Sequence, residues 1–462
     1  MNSWCHEIGS RVGCDCHQGH ILATAGLRAL TGPRRGHPAQ RRRRLGSVIV
    51  SLLLGVTLST SARADDFHSH DFRFGQRAMA MGGAVVGAVT GPTASFYNPA
   101  GLGFLYGSLF SGALQYYGWD RRTVKDALRA DPIGTKTLTS GSFLATPTSS
   151  VLSHGFAGGR HRIAYSTFLV TDVDEHFSGS LSDTFDMASY SNQEVVRASW
   201  RSRDKVLFIG PSYAYRATPT LSLGISIFYA RRDQTLDHSS DVQTDQYDVA
   251  TDLFYRSLFD DHGTSVTLHD GALLARIGLM WVPSKRFSLG LTVRTRSISL
   301  HGSGTEHFRY TTSGDANLTP PVSPDRFSFS EKMMDVTTVY PWSFSTGVGF
   351  RPIPTLHIMV SGDLDLAVQY NRFEVDAFTT PSRSSLHRVD RRLNWNVSAG
   401  VEWLLTQRIP LRFGLFTNRS AAPAVPVQHL SRSAPQVHLY GVTGSAGYLG
   451  DKRSFNVGVE FT

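Results

Sequence analysis

The feature that most constrains this chain is an alternation of apolar and polar residues with a period of two. In Leu221–Tyr229, the residues Leu221, Leu223, Ile225, Ile227 and Tyr229 share one face, and Ser222, Gly224 and Ser226 oppose them. Leu273, Ala275, Ile277, Leu279 and Trp281 repeat the pattern, with Arg276 and Gly278 opposite. So do Phe287, Leu289, Leu291 and Val293 against Ser288, Gly290, Arg294 and Arg296. Leu393, Trp395, Val397, Ala399, Val401 and Trp403 face away from Asn394, Asn396, Ser398, Gly400 and Glu402. At the end, Phe455, Val457, Val459 and Phe461 oppose Asn456, Gly458 and Glu460. Side chains alternate across a strand and not across a helix, so these segments are strands.

Many of the runs are about 9–11 residues, the length that a tilted strand needs to cross a bilayer. Strands of soluble proteins average about 5–6. Short turns fall at 217–220, 283–286, 352–355 and 405–408, and long polar stretches lie between them at about 233–264, 301–336, 371–391 and 417–436. Short turns on one side and long loops on the other are the pattern of an outer-membrane barrel. Trp281 and Trp403 end strands beside short turns and Trp342 opens one, placements that suit interfacial girdles. The expected fold is therefore all-β: a transmembrane antiparallel β-barrel of about 14 strands. If all these turns face the periplasm, the last segment, Ser454–Thr462, runs outward, whereas barrels of this type end inward; either an early strand is miscounted or the Gly450-Asp451-Lys452-Arg453 turn lies outside.

Composition removes the competitors. Charged residues make up 18% of the chain and mean hydropathy is −0.16, and no apolar run is long enough for a helical span. Arg41–Arg44 precede an apolar run from Leu45 to about Thr60, then Ala62-Arg63-Ala64. This reads as a cleaved export signal, too short to stay as an anchor across roughly 30 Å of hydrocarbon. Residues 1–64 are thus an N-terminal extension and signal peptide. They hold most of the net charge of +9, and residues 65–462 are close to neutral, which excludes a nucleic-acid-binding surface. They also hold all three cysteines, Cys5, Cys14 and Cys16, so disulfides and thiolate metal sites are not expected beyond them.

Residues 65–105 read differently from the strands at 106–462. Small residues and Met replace alternation in Phe72–Ala84, and Ala94–Leu102 carries Asn98-Pro99-Ala100. Such a piece cannot face lipid and is too apolar for a free tail, so it should pack inside the barrel as a hatch. The stretch resembles the start of mature FadL-family proteins, where a G-x-A-x-A-x-G-G-A run precedes Y-N-P-A-G-L. Ser398–Trp403 with Leu411–Leu415 is similar to that family's late hairpin. The resemblance implies a 14-stranded outer-membrane barrel plugged by its N-terminal hatch. It implies passive inward passage of long-chain fatty acids or aromatic hydrocarbons.

Phe72, Phe74, Met79, Met81, Phe96 and Tyr97 would line an apolar path or simply pack the hatch. Asn98, Pro99 and Ala100 suit a turn that locks the hatch to a strand, Pro by fixing φ and Asn by bonding nearby backbone. Arg276, Arg294, Arg296, Arg412, Asp363, Asp365 and Glu402 fall on inner faces, as charge pairs or, for an Arg, as the holder of a substrate carboxylate. His357 and His438 lie in strands without the spacing of a hydrolytic triad, so no enzyme is expected. The His68–Asp71 cluster reads as a frayed start rather than a metal site, and no cofactor is expected. Expected partners are hydrophobic small molecules, outer-membrane lipid and lipopolysaccharide, and the barrel is expected to be a monomer. The alternatives are a barrel that transports nothing and serves assembly or secretion, and a general porin.

Overall fold

The computed structural model describes residues 12–15, 22–25, 67–68, 73–89, 91–105, 109–130, 134–187, 190–251, 253–313, 326–334, 336–372, 388–423, 438–449 and 454–461. The expected signal peptide and Phe72 lie outside the described residues. The strands are β1 (Leu109–Ala130), β2 (Gly134–Phe156), β3 (His161–Met187), β4 (Tyr190–Arg216), β5 (Leu221–Asp248), β6 (Phe254–Trp281), β7 (Phe287–Arg294), β8 (Ile298–Thr312), β9 (Arg326–Met334), β10 (Ser343–Ile353), β11 (Leu356–Asp365), β12 (Val368–Asn371), β13 (Arg388–Arg391), β14 (Asn394–Thr406), β15 (Ile409–Asn418), β16 (Leu439–Leu449) and β17 (Ser454–Phe461).

Fifteen of them form one antiparallel sheet that tracks the chain from β1 to β7 and on through β10, β11, β14, β15, β16 and β17. β7 and β8 are two lengths of one rung on β6: Arg276 pairs with Arg294, and Leu273 with Ile298. β9 and β10 divide in the same way, pairing with β8 and β7. β12 and β13 pair with each other above β11 and β14. Ser454 pairs with Leu449 beside the short-turn edge, so β17 does run outward. Among the described residues no ladder joins β1 to β17.

The outer face is apolar and open. Ile277 is 52% exposed, Val360 47% and Leu415 48%, and each alternates with a buried or half-buried inner neighbour. Exposed aliphatics arranged as a continuous band mark a lipid-facing wall. Trp395 and Trp403 sit on this face of β14, and the strand between them rises about 27 Å at about 3.4 Å per residue. Tilt shortens that rise toward the roughly 25 Å height of a barrel's apolar band.

The expectation of long loops at 233–264 and 301–336 is corrected. β3 and β4 are 27 residues long and β5 and β6 are 28, so they continue far past the bilayer. β8 and β9 occupy much of 298–334. Outside lipid both faces can be polar, so the apolar signal that betrays a strand disappears while the backbone ladder goes on. Side chains such as Asn192 and Gln246, bonded at 2.7 Å, fill the inner face there.

Replacing Ile277 with Arg puts a charge at the middle of the lipid face. Urea unfolding in lipid vesicles should show a loss of about 2–4 kcal/mol. In the outer extension, burial alone pushes the Glu194 carboxyl up to about 7. Its folded value lies above the ordinary 4.5, so the native state binds the extra proton between those two pH values. The stability it contributes is full below pH 4.5 and is lost as pH rises to about 7. Glu194→Gln should remove this dependence and steady the outer hairpins above pH 7 by on the order of 2–3 kcal/mol. Hydrogen exchange of the β4 and β5 amides, corrected for intrinsic rates, measures it.

Candidate functional site

The hatch is short-range structure by necessity. α1 (Gln76–Ala80) stops where Gly82 and Gly83 take φ of +63° and +88°, a region that glycine enters at no steric cost. α2 (Ala94–Tyr97) leads through Asn98 into a 3-10 turn at Pro99–Phe104. Pro99 opens that turn, where a missing N–H costs nothing. Phe74, Met81, Ala84, Ala94, Ala100 and Leu102 are fully buried, so the segment fills the space behind the wall.

Inward glycines let it come close. A Cβ at Gly290 would strike the Val86 carbonyl, and one at Gly347 the Gly87 amide. Gly224 and Gly278 meet Pro99 and Asn98, and Gly400 and Gly414 meet Met81 and Gly82. In register, Gly224 faces Gly278, Gly290 faces Gly347, and Gly400 faces Gly414 on neighbouring strands. The hatch backbone therefore lies directly on a track of bare strand backbone.

Wall side chains then satisfy the hatch. Asn98 Nδ2 donates to the Val86 carbonyl at 3.2 Å and to that of Leu279 on β6 at 3.0 Å, while its Oδ1 accepts from the Ala100 N–H at 3.2 Å. Hydroxyls of Ser226, Thr292 and Thr443 donate to the carbonyls of Ser95, Tyr97 and Ala80. Two hatch cations reach the late strands: Arg73 pairs with Glu460 at 2.7 Å and Arg77 with Glu402 at 3.1 Å. Arg77 also meets His357 Nδ1.

Above the hatch stands an aromatic cluster. Phe74 and Phe96 are 4.5 Å apart edge to face, and Phe168 lies 4.9 Å and 5.1 Å from them. Phe208, Phe228 and Tyr340 extend it. Two cavities of about 50 Å³ flank Phe96. One has an apolar side of Phe96, Val170, Val206, Phe208 and Tyr340 and a basic side of Arg232, Arg276, Arg294 and Arg391, with His68. The other lies between Tyr97, Phe416, Arg73, Asp363 and Asp365 and shares Phe96, Arg276 and Arg294. A void of roughly 150 Å³ is what takes one benzene ring. Neither cavity admits an acyl chain or an arene in this state.

Arg276 divides the two. Its guanidinium donates to the Phe96 carbonyl and sits 4.0 Å over the Phe96 ring. Among the described residues no carboxylate lies within ion-pair distance of it. Its neighbours are spoken for: Arg294 pairs with Asp365 at 3.0 Å, Arg412 with Glu402 at 2.6 Å, and Arg232 with Asp204 at 2.6 Å. Asp363 accepts from the Ser345 hydroxyl.

The expected residues thus divide. Phe74, Phe96 and Tyr97 gather at the cluster, and the Tyr97 hydroxyl accepts the Phe74 N–H at 2.8 Å. Met81 packs on Gly400, and Met79 is half-buried. Asn98, Pro99 and Ala100 lie against β5 and β6. Arg276, Arg294, Arg412, Asp363, Asp365 and Glu402 face inward. Arg296 is a correction: β7 ends at Arg294, the chain leaves the ladder over 295–297, and Arg296 is exposed. Phe168, Phe208 and Phe228 were not anticipated. Their signal was present in runs such as Ile227-Phe228-Tyr229, where both faces of a strand are apolar at once.

Residues 55–436 match the model of the family described as outer membrane protein transport protein (OMPP1/FadL/TodX). No curated protein matches the chain. The fold is similar to the crystal structure of a Pseudomonas aeruginosa FadL homologue, with a TM-score of 0.52 at 12% identity over 83% of this chain and 88% of that one. It is also similar to that of the P. putida toluene transporter TodX, with a TM-score of 0.51 at 14% identity over 84% and 91%.

Gly347→Ala should push the hatch off its track, and Asn98→Ala should strand two buried carbonyls. Both variants should raise single-channel conductance and tryptic cleavage at Arg77 several-fold while the barrel stays heat-modifiable. Gly444→Ala is the control, because nothing lies within 4 Å of the added carbon, and it should leave both readouts unchanged.

Proposed function

Because the chain belongs to the outer membrane protein transport protein family (OMPP1/FadL/TodX), we propose that it passes hydrophobic compounds inward by diffusion past a hatch that shifts to admit them. Long-chain fatty acids are the substrates its chamber suits best. The observation that carries this reading is Arg276, a half-buried cation beside the apolar side of a mixed chamber, with no carboxylate among the described residues at ion-pair distance. A fatty acid brings both parts: an alkyl chain for Phe96, Val206 and Phe208, and a carboxylate for the guanidinium. Neutral arenes would use only the first.

The closed cavities fit this account. Entry must move the hatch, and the bonds that hold it are local: the Asn98 staple, the Arg276 bond to Phe96, the hydroxyl bonds from Ser226, Thr292 and Thr443, and the two ion pairs. A hatch packed into the wall also disfavours an open polar pore, the reading of a general porin.

Extraction of protein purified from outer membranes should recover fatty acids. In proteoliposomes Arg276→Gln should slow oleate uptake by about 10-fold or more, the value of one charged hydrogen bond, and change toluene uptake less than about twofold. Equal losses for both compounds, or no loss for oleate, would reject the carboxylate role while leaving hydrophobic transport standing.

A further inference from the structure

Three of the short turns carry cations and no acid, and the turn sequence at 450–453 adds Lys452 and Arg453 against Asp451. Arg160 lies in the β2–β3 turn, Lys285 and Arg286 in the β6–β7 turn, and Arg408 in the β14–β15 turn, and all are exposed. Arg216 closes β4 at the same edge. Glu402, on β14 near this edge, is held by Arg77 and Arg412. The opposite end differs, since acids such as Asp174, Asp183, Asp237, Asp241 and Asp248 are spread along the outer lengths of β3 and β5.

The level of these cations is fixed by their neighbours. Phe156, Trp281, Phe287, Phe350 and Trp403 are exposed on the lipid face beside the same turns. Amphipathic and aromatic rings collect where hydrocarbon meets headgroup. Cations just beyond them stand at the height of lipid phosphates, and their long stems let the charge reach that layer. Arg408 is already oriented there, donating to the Tyr448 hydroxyl at 3.3 Å.

We propose that these turn cations bind the phosphates of anionic phospholipid in the periplasmic leaflet and set the depth of the barrel in the membrane. The site is independent of the chamber and of whatever passes through it. Basic residues near an anionic surface each add attraction, and salt screens it. Cations spread over several turns gather several lipids rather than one.

The test uses the full protein in a non-ionic maltoside micelle, mixed with equal phosphatidylglycerol and phosphatidylcholine and read by native mass spectrometry. The wild type should retain several-fold more phosphatidylglycerol, with the preference falling as salt rises. The variant R160Q/K285Q/R286Q/R408Q should fall to near parity. If that variant fails to assemble, K285Q/R286Q alone should lower the retained number. Equal retention of both lipids by the wild type, as expected for an edge that instead awaits an acidic periplasmic protein, would overturn the proposal. An unchanged preference in the variants would do the same, as would complete displacement by millimolar inorganic phosphate, which would mark a soluble-anion site.

Discussion

Polar backbone at membrane depth must find its partners inside the protein, because lipid supplies none. The strands meet this demand through their ladders. The hatch, which is irregular, cannot. Its carbonyls at Ala80, Val86, Ser95, Phe96 and Tyr97 are satisfied by side chains of the wall or of the hatch itself. That requirement explains why the inner face is set with Ser, Thr, Asn and Gly rather than with more apolar residues. It also makes the hatch and the wall one structural unit.

Close packing and release are in tension here. Bare glycine backbone lets the hatch approach so nearly that little space is left for a substrate. Yet the anchors are local hydrogen bonds and two ion pairs near the late strands, not a continuous apolar interface of helices. The aromatic cluster of Phe74, Phe96 and Phe168 is the place where a shift of the hatch would open apolar volume, since the two existing cavities meet at Phe96.

Charge is arranged in layers along the barrel. Cations stand on several short turns, paired charges join the hatch to the late strands, and a mixed chamber holds Arg276 beside apolar rings. Beyond the bilayer the inner face of the long strands is polar, with a buried Arg232–Asp204 pair at 2.6 Å near its base.

The chain's own order of residues determined the strands at membrane depth, their lipid-facing and inward faces, and the short turns, because lipid demands an apolar residue at every second position. It also determined that residues 73–105 stand apart, through the loss of alternation and the Asn98-Pro99-Ala100 triplet. It did not reveal how far β3 to β6 extend, since water on both faces erases the period-two signal. It placed Arg296 inward because a pattern cannot see the ladder break after Arg294. Only the tertiary structure decided which strand each hatch group meets, that Gly290 and Gly347 form one track, and that among the described residues Arg294 and Arg412 have ion-paired carboxylates while Arg276 bonds the Phe96 carbonyl. Those facts depend on strands far apart in sequence arriving at one height, and register between neighbours, not local preference, sets that height.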